Sequence, residues 1–501
     1  MRDGSVSVHV PDIGGLLPVF VPDRYEGFEV KTFPELTDAE LDAYLDANVA
    51  AIRDVAESLG GVDAALANHL VMGPVILARA GLRFALKVHG SDLSYTVLPH
   101  LERFGPYAEE GARAATGILV GSTHIADRLR EAVDEPEVNA KVRLGPPGVD
   151  SNLFSPLPEE YRAERLRDLA ARLRLGGQPD APLPRNGLSA VRHGGPPRDA
   201  RRSPKAAEDA RGGNAATGPA GRDVGGGDRR QDPPPSGWDR DVDRATDAVE
   251  HFADATGPRV VFVGKLIVSK GVDLLLAAWP LVQAENPGAR LLIVGFGEYE
   301  PALERLWTAL TAGDLEVATE IADRGRGLEG GEDRPLPMLR AFLAQLPPGY
   351  AEAAREAASS VSFAGRLEYD EVGALVPATD ALVFPSTFPE AFGMVAAEAA
   401  AAGVLPVSAD HSGAAEVSRA LAAELPAEVQ DLVSFPLDDR AVAAIAARLN
   451  AWLRLDPGTR ETARQALADT AARLWSWEGV AHGVLAASGG RLDDVPPVPS
   501  E

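Results

Sequence analysis

Two glutamates, Glu390 and Glu398, stand eight residues apart in FPSTFPEAFGMVAAEAAAAG, the stretch from Phe384 to Gly403. A carboxylate accepts two hydrogen bonds from neighbouring hydroxyls, so such a pair suits the two ends of one polyhydroxylated ligand. Along a helix an eight-residue step covers at most roughly 12 Å, about the reach from sugar to ribose across the diphosphate of a nucleotide sugar. A plainer reading keeps Glu390 as a helix cap and Glu398 as an exposed side chain, and the pair alone leaves both open.

Lysine supplies the second signal. The chain has six lysines and 43 arginines, yet Lys265 and Lys270 both fall within GKLIVSKG, Gly264 to Gly271. Two compact cations in one loop suit an anion such as a diphosphate; a solvated turn is the bland alternative. Gly393 and its neighbours would add backbone amides at a helix N-terminus, where the dipole favours negative charge. Gly295 and Gly297, in GFGEYE, would let backbone approach a ligand, although a Gly-x-Gly turn after a strand is a weak signal alone.

These segments all follow short apolar runs, so the elements that position them read as strands of a parallel sheet with ligand loops at their carboxyl ends. In the second half the strands are expected at Arg259 to Val263, Arg290 to Val294, Val361 to Phe363, Ala381 to Phe384 and Val404 to Val407. The stretch from about Thr308 to Ser360 reads as mainly helical. In the first half they are expected at Ser5 to Val10, Ala64 to Asn68, Phe84 to Val88, Gly117 to Val120 and Val142 to Leu144. Helices are expected from the capping box Thr37-Asp38-Ala39-Glu40 and from Ser122.

Between the halves, Gln178 to about Asp243 is rich in Gly, Pro, Arg and Asp and nearly free of large apolar residues, a composition that cannot bury enough surface to order itself. The division implied is an N-terminal domain over 1–170, a disordered insert over 178–243, a C-terminal domain over 255–440 and C-terminal helices over 441–501. Gln178 to Asp241 carries a net charge of +2 against −25 for the whole chain, so the acidity belongs to the folded parts. That charge argues against a nucleic-acid partner. With no cysteine, disulfides and thiolate chemistry are excluded. No stretch reads as a signal sequence or a stable membrane span, and a cytoplasmic location is expected.

In their order, VGKLIVSKG, LLIVGFGE, VSFAGRL and FPSTFPEAFGMVAAEAAAAG resemble the donor-binding half of family 4 of the retaining, nucleotide-sugar-dependent glycosyltransferases. KVHGSD (87–92), GPPGVDSNLFSP (145–156) and the tail WSWEGVAHGVL are looser matches to the same family. The resemblance implies an α/β fold of GT-B architecture, two facing Rossmann-like domains with parallel sheets. It implies that Glu390 contacts the transferred sugar, Glu398 the ribose, Lys265 and Lys270 the diphosphate, and His89 the sugar at the cleft. Gly365, Arg366 and Leu367 would lie beside the nucleobase, with Gly264, Ala391, Phe392, Gly393 and Met394 completing the donor site.

The co-substrates implied are a nucleotide-sugar donor and a sugar, lipid or small-molecule acceptor, with no cofactor and no metal. The Asp-x-Asp run at Asp239, Asp241 and Asp243 lies at the insert and is not expected to bind one. Two departures stand out. Lys265 occupies a position where the family usually has Arg, and the N-terminus reads as though it begins at the family's second strand, with Gly14-Gly15 as a substitute loop. A nucleotide-sugar epimerase, with Asp92 as its evident acid/base candidate, and a truncated non-catalytic nucleotide-sugar binder remain alternatives.

Overall fold

The computed structural model describes residues 6–21, 28–176 and 240–499. Most of the insert expected over 178–243 therefore lies outside the described residues. Its expected end does not hold: an α-helix runs from Val242 to Ala253, and the Asp241 side chain caps it by accepting from the Arg244 amide at 2.9 Å. An apolar face made of Ala245, Ala248, Val249 and Phe252 buries against the second half, which outweighs the polar start.

Among the described residues there are twelve strands: β1 Leu16–Val19, β2 Glu29–Thr32, β3 Leu66–Asn68, β4 Ala85–Val88, β5 Gly117–Val120, β6 Val142–Leu144, β7 Arg259–Val263, β8 Arg290–Val294, β9 Val361–Gly365, β10 Ala381–Phe384, β11 Leu405–Ala409 and β12 Ser434–Phe435. They form three sheets in which every pairing is parallel: β1-β2, β3-β4-β5-β6 and β12-β11-β10-β7-β8-β9. The central strands are buried throughout, as in β4, β5 and β10. Helices cover both faces of such sheets, which is why these strands read as unbroken apolar runs rather than as alternating patterns. Each of the two larger sheets heads one α/β half, the two-part parallel architecture that the resemblance implied.

The expected strand at Ser5 to Val10 does not form over its described part. Residues 6–10 carry no regular structure and Val6 is 91% exposed. Their alternation of valine with polar residues has no neighbouring edge to pair with; the edge is taken by Leu16–Val19 against Glu29–Thr32. Both expected helix starts hold. Thr37 and Glu40 make the reciprocal capping box of a helix over Asp38–Ser58, and Ser122 caps Thr123–Ala132. Residues 308–360 contain the helices Leu315–Arg324, Pro337–Ala344 and Tyr350–Glu356. The helix Trp477–Ser488 returns to the first half, where Ala486 and Ala487 bury against Ala85 and Leu119. No helix among the described residues is long and apolar enough to cross a membrane.

Candidate functional site

In the six-stranded sheet β7, β8 and β9 run outward in one direction and β10, β11 and β12 in the other. The order reverses between β7 and β10, and a crevice opens outside the carboxyl ends of strands at such a reversal. The loop after β7 carries Lys265 and Lys270; the loop after β10 carries Glu390. Sheet order thus brings together two segments 120 residues apart in sequence, and Lys270 Nζ lies 2.6 Å from Glu390 Oε1.

Backbone contacts fasten the two loops. Gly271 takes φ +65°, and a Cβ there would sit 2.1 Å from the Pro385 carbonyl oxygen, so only glycine allows this approach. The Thr387 amide donates to the Ser269 carbonyl at 2.8 Å. Gly295 and Gly297 are spent differently from the expectation. A Cβ on Gly295 would lie 1.8 Å from the Gly264 oxygen and one on Gly297 2.3 Å from the Leu266 oxygen, so their bare backbones admit the lysine loop rather than a ligand.

Glu390 is held from several sides. Its carboxylate also accepts from the buried Ser386 hydroxyl, its amide donates to Ser412 Oγ at 2.8 Å, and its carbonyl accepts from the Gly413 amide at 3.0 Å. His411 Nε2 meets the Ser386 carbonyl at 2.8 Å. Ser386, His411 and Ser412 were not singled out as site residues, because nothing in their local spacing shows that they converge on Glu390. Lys265 is exposed and makes no ion pair or hydrogen bond among the described residues.

Glu398 lies in the second turn of the helix Met394–Ala401, and the structure does not expose it: it is buried, and Tyr369 donates its hydroxyl to Oε1 at 3.1 Å. Burial pushes its carboxyl up to about 7, against the opposing pull of the Tyr369 hydrogen bond. Tyr369 packs edge-on to Phe154 of the first half, ring centroids 5.5 Å apart. Gly393, at φ +122°, precedes this helix and has no side chain to cap it. Phe392 is buried edge-on to Trp475 at 5.6 Å, Met394 is half-buried, and Leu367 is buried. Gly365 ends β9 at φ +68° with open space around it, Arg366 reaches Glu368 at 3.0 Å and lies 6.0 Å over the Phe296 ring, and Gly264 donates to the Val294 carbonyl.

The first half meets this loop directly. Ser122 Oγ donates to the Ala391 carbonyl at 2.7 Å, and a Cβ on Gly90 would come 3.0 Å from Ala391 Cβ. His89, one residue earlier, therefore stands at the same junction. Its Nε2 is 3.2 Å from Asn68 Oδ1 and its ring lies 4.8 Å from that of His69. Burial, with His69 and Lys87 adding to it against Asp92, lowers the imidazole to about 4, so it is neutral at pH 7. Glu416 braces the junction by accepting from the Thr123 and His124 amides at 2.7 and 2.9 Å.

Asp92 is wholly buried: the Leu70 amide donates to Oδ2, and Oδ1 lies 3.5 Å from His69 Nδ1. As an acid/base group facing a ligand it is displaced from the expectation, since its backbone turn buries it beneath His69. Among the described residues no cluster of three or more His, Asp or Glu could hold a metal ion. Asp241 is occupied as a helix cap, and Asp239 lies outside the described residues.

The crevice residues fall inside two matched family segments. Residues 257–325 and 351–467 match the sequence profiles of families described as glycosyl transferases group 1. The C-terminal half carries a glycosyl transferases group 1 domain. The chain is 30% identical over 187 residues to a GDP-mannose-dependent monoacylated alpha-(1-6)-phosphatidylinositol monomannoside mannosyltransferase of Corynebacterium glutamicum, covering 36% of each protein. It is 31% identical over 256 residues to a D-inositol 3-phosphate glycosyltransferase of Segniliparus rotundus, covering 50% of this chain and 44% of that protein. The chain thus spans less than half the length of the curated relatives it matches. Among solved structures, Anabaena HepE in complex with UDP and glucose aligns with 93% of this chain and 85% of its own at 16% identity, with a TM-score of 0.47.

Of the group 1 domain's predicted site residues, Lys270, Glu390 and Ala391 gather with His89 at one junction, whereas Glu398 is set back under Tyr369.

Proposed function

We propose that the protein is a retaining, family 4 glycosyltransferase that moves a sugar from a nucleoside-diphosphate sugar to an acceptor held against the first half. The observation that carries this reading is the Lys270–Glu390 pair at the sheet reversal of a group 1 domain. Lys270 has three ammonium donors, of which Glu390 takes one, so two remain for a diphosphate. Glu390 keeps a second oxygen for a sugar hydroxyl. Lys265, exposed and without a partner among the described residues, adds a second cation to the same loop.

Neutral His89 at the junction suits a hydrogen bond to the sugar, and Glu398 with Tyr369 suits the ribose hydroxyls. In the reaction, the bond from the anomeric carbon to the diphosphate oxygen breaks while the acceptor oxygen bonds to that carbon on the same face. The acceptor proton passes to the departing phosphate oxygen. The protein's part is to stabilise the leaving charge, which Lys265, Lys270 and the amides around Gly393 supply without a metal. The proposed setting is cytoplasmic.

Incubation of the full chain with uridine-, guanosine- and adenosine-diphosphate sugars and sugar or inositol acceptors, with proton NMR of the product, tests this. Transfer with retained anomeric configuration, insensitive to EDTA, is the expected result. Inversion, dependence on a divalent ion, or epimerised sugar nucleotide without transfer would each overturn a stated part of the reading.

A further inference from the structure

A cavity of about 290 Å³ lies on the other side of the Val268–Lys270 turn from the crevice. Its walls include Ser269, Asp273, Arg326, Arg334, Met338 and Phe388, whereas Lys265, Lys270 and Glu390 do not line it. Half of those walls come from residues 326–350, a stretch that falls between the two matched family segments. The chain has added a lobe here and has built it against the lysine loop: the Val268 amide donates to Glu329 Oε1. Phe388 and Thr387, just before Glu390, close the cavity from the opposite side.

Charge sets this cavity apart. In a chain of net charge −25, most arginines of the second half find a carboxylate, as Arg324 does with Asp333 and Arg340 with Asp323. Arg326 and Arg334 both line the cavity and neither has an ion pair or side-chain hydrogen bond among the described residues. Two guanidinium groups beside a wall of Leu274, Met338, Leu339 and Phe388 match a ligand with one anionic group and a compact apolar body. The volume is at the small end for a ligand site.

We infer that this cavity binds a small amphiphilic anion, its phosphate or carboxylate held by Arg326 and Arg334 and its apolar body against Met338 and Phe388. All of its walls belong to the second half, and two of them are continuous with the loops that carry Lys270 and Glu390, so its occupant acts on the crevice as an effector rather than as a reactant. Asp273, at the floor, is pushed by burial up to about 7, so below that pH it adds no opposing charge. The inference does not rest on the proposed transferase activity.

Calorimetry of the full chain with phenyl phosphate, benzoate, inorganic phosphate and phenol tests it. Phenyl phosphate or benzoate binds, inorganic phosphate and phenol bind at least about tenfold more weakly, and Arg326→Ala/Arg334→Ala weakens the tight arm by about tenfold or more. Met338→Trp, which fills the apolar wall and leaves the charges in place, abolishes it. Lys270→Ala leaves it within about twofold. Binding of neither amphiphile, binding indifferent to the arginine or Met338 variants, or binding lost with Lys270→Ala, which would return it to the crevice, each overturns the inference.

Discussion

Lys270 and Glu390 form an ion pair at 2.6 Å across the reversal of the six-stranded sheet, each still partly open to solvent. In the unliganded protein the ammonium is thereby held at the crevice mouth rather than swung into water. Lys270→Ala should therefore weaken nucleoside-diphosphate binding by more than about tenfold, about 1.4 kcal/mol. Unchanged affinity by calorimetry would remove Lys270 from the binding of the diphosphate.

Glu390 and Glu398 should respond differently to the same probe. Glu390→Gln frees Lys270 from its counter-charge, so free nucleoside diphosphate should bind as well or better while kcat falls. Glu398→Gln acts at the ribose end and should weaken the diphosphate and raise the donor KM. Titration of both variants with nucleoside diphosphate separates the two; equal losses would make both carboxylates supports of the loop.

Glu398 also gives the fold a pH dependence. Its carboxyl is raised from 4.5 to about 7 in the folded protein, so the folded state holds a proton that the unfolded chain has released. The stabilisation is complete below about 4.5 and is lost as pH rises to about 7, up to about 3 kcal/mol. Asp273, raised from 3.8 to about 7, acts in the same direction. Thermal melts across this range should show the wild type losing stability faster than Glu398→Gln or Asp273→Asn. A parallel course would mean that the folded protein compensates for the charge.

Glu416 caps two amides of the first half from the second. Glu416→Ala should lower stability by about 1 kcal/mol and speed amide exchange at Thr123 and His124 without touching exchange in β10. Hydrogen exchange followed by mass spectrometry reads this directly. Unchanged protection at Thr123 would show that Ser122 and Ala391 hold the junction alone.

Much of this protein is written locally. Runs such as Val260 to Val263 and Leu291 to Val294 are apolar on every residue because helices cover both faces of their sheet, so strand positions and the parallel α/β class follow from them. The capping groups of Thr37, Glu40 and Ser122 lie within a few residues of what they satisfy and are equally legible. The acids and lysines of the crevice are visible as residue types in strand-end loops.

What they do there depends on neighbours far along the chain. That Lys270 meets Glu390 follows from β7 lying beside β10, an order set by how six strands share helices and not by either loop. Gly295 and Gly297 read as open turns, yet a carbonyl from another loop fills the space their missing side chains leave. Residues 6–10 alternate like a strand but find no edge, and Asp92 follows a strand like a ligand group but is buried under His69. The arginine-lined cavity exists only because residues 326–350 fold back onto the Val268–Lys270 turn. Local pattern encodes which groups each segment offers; burial and pairing are properties of the surfaces that meet, and those are decided when the segments pack.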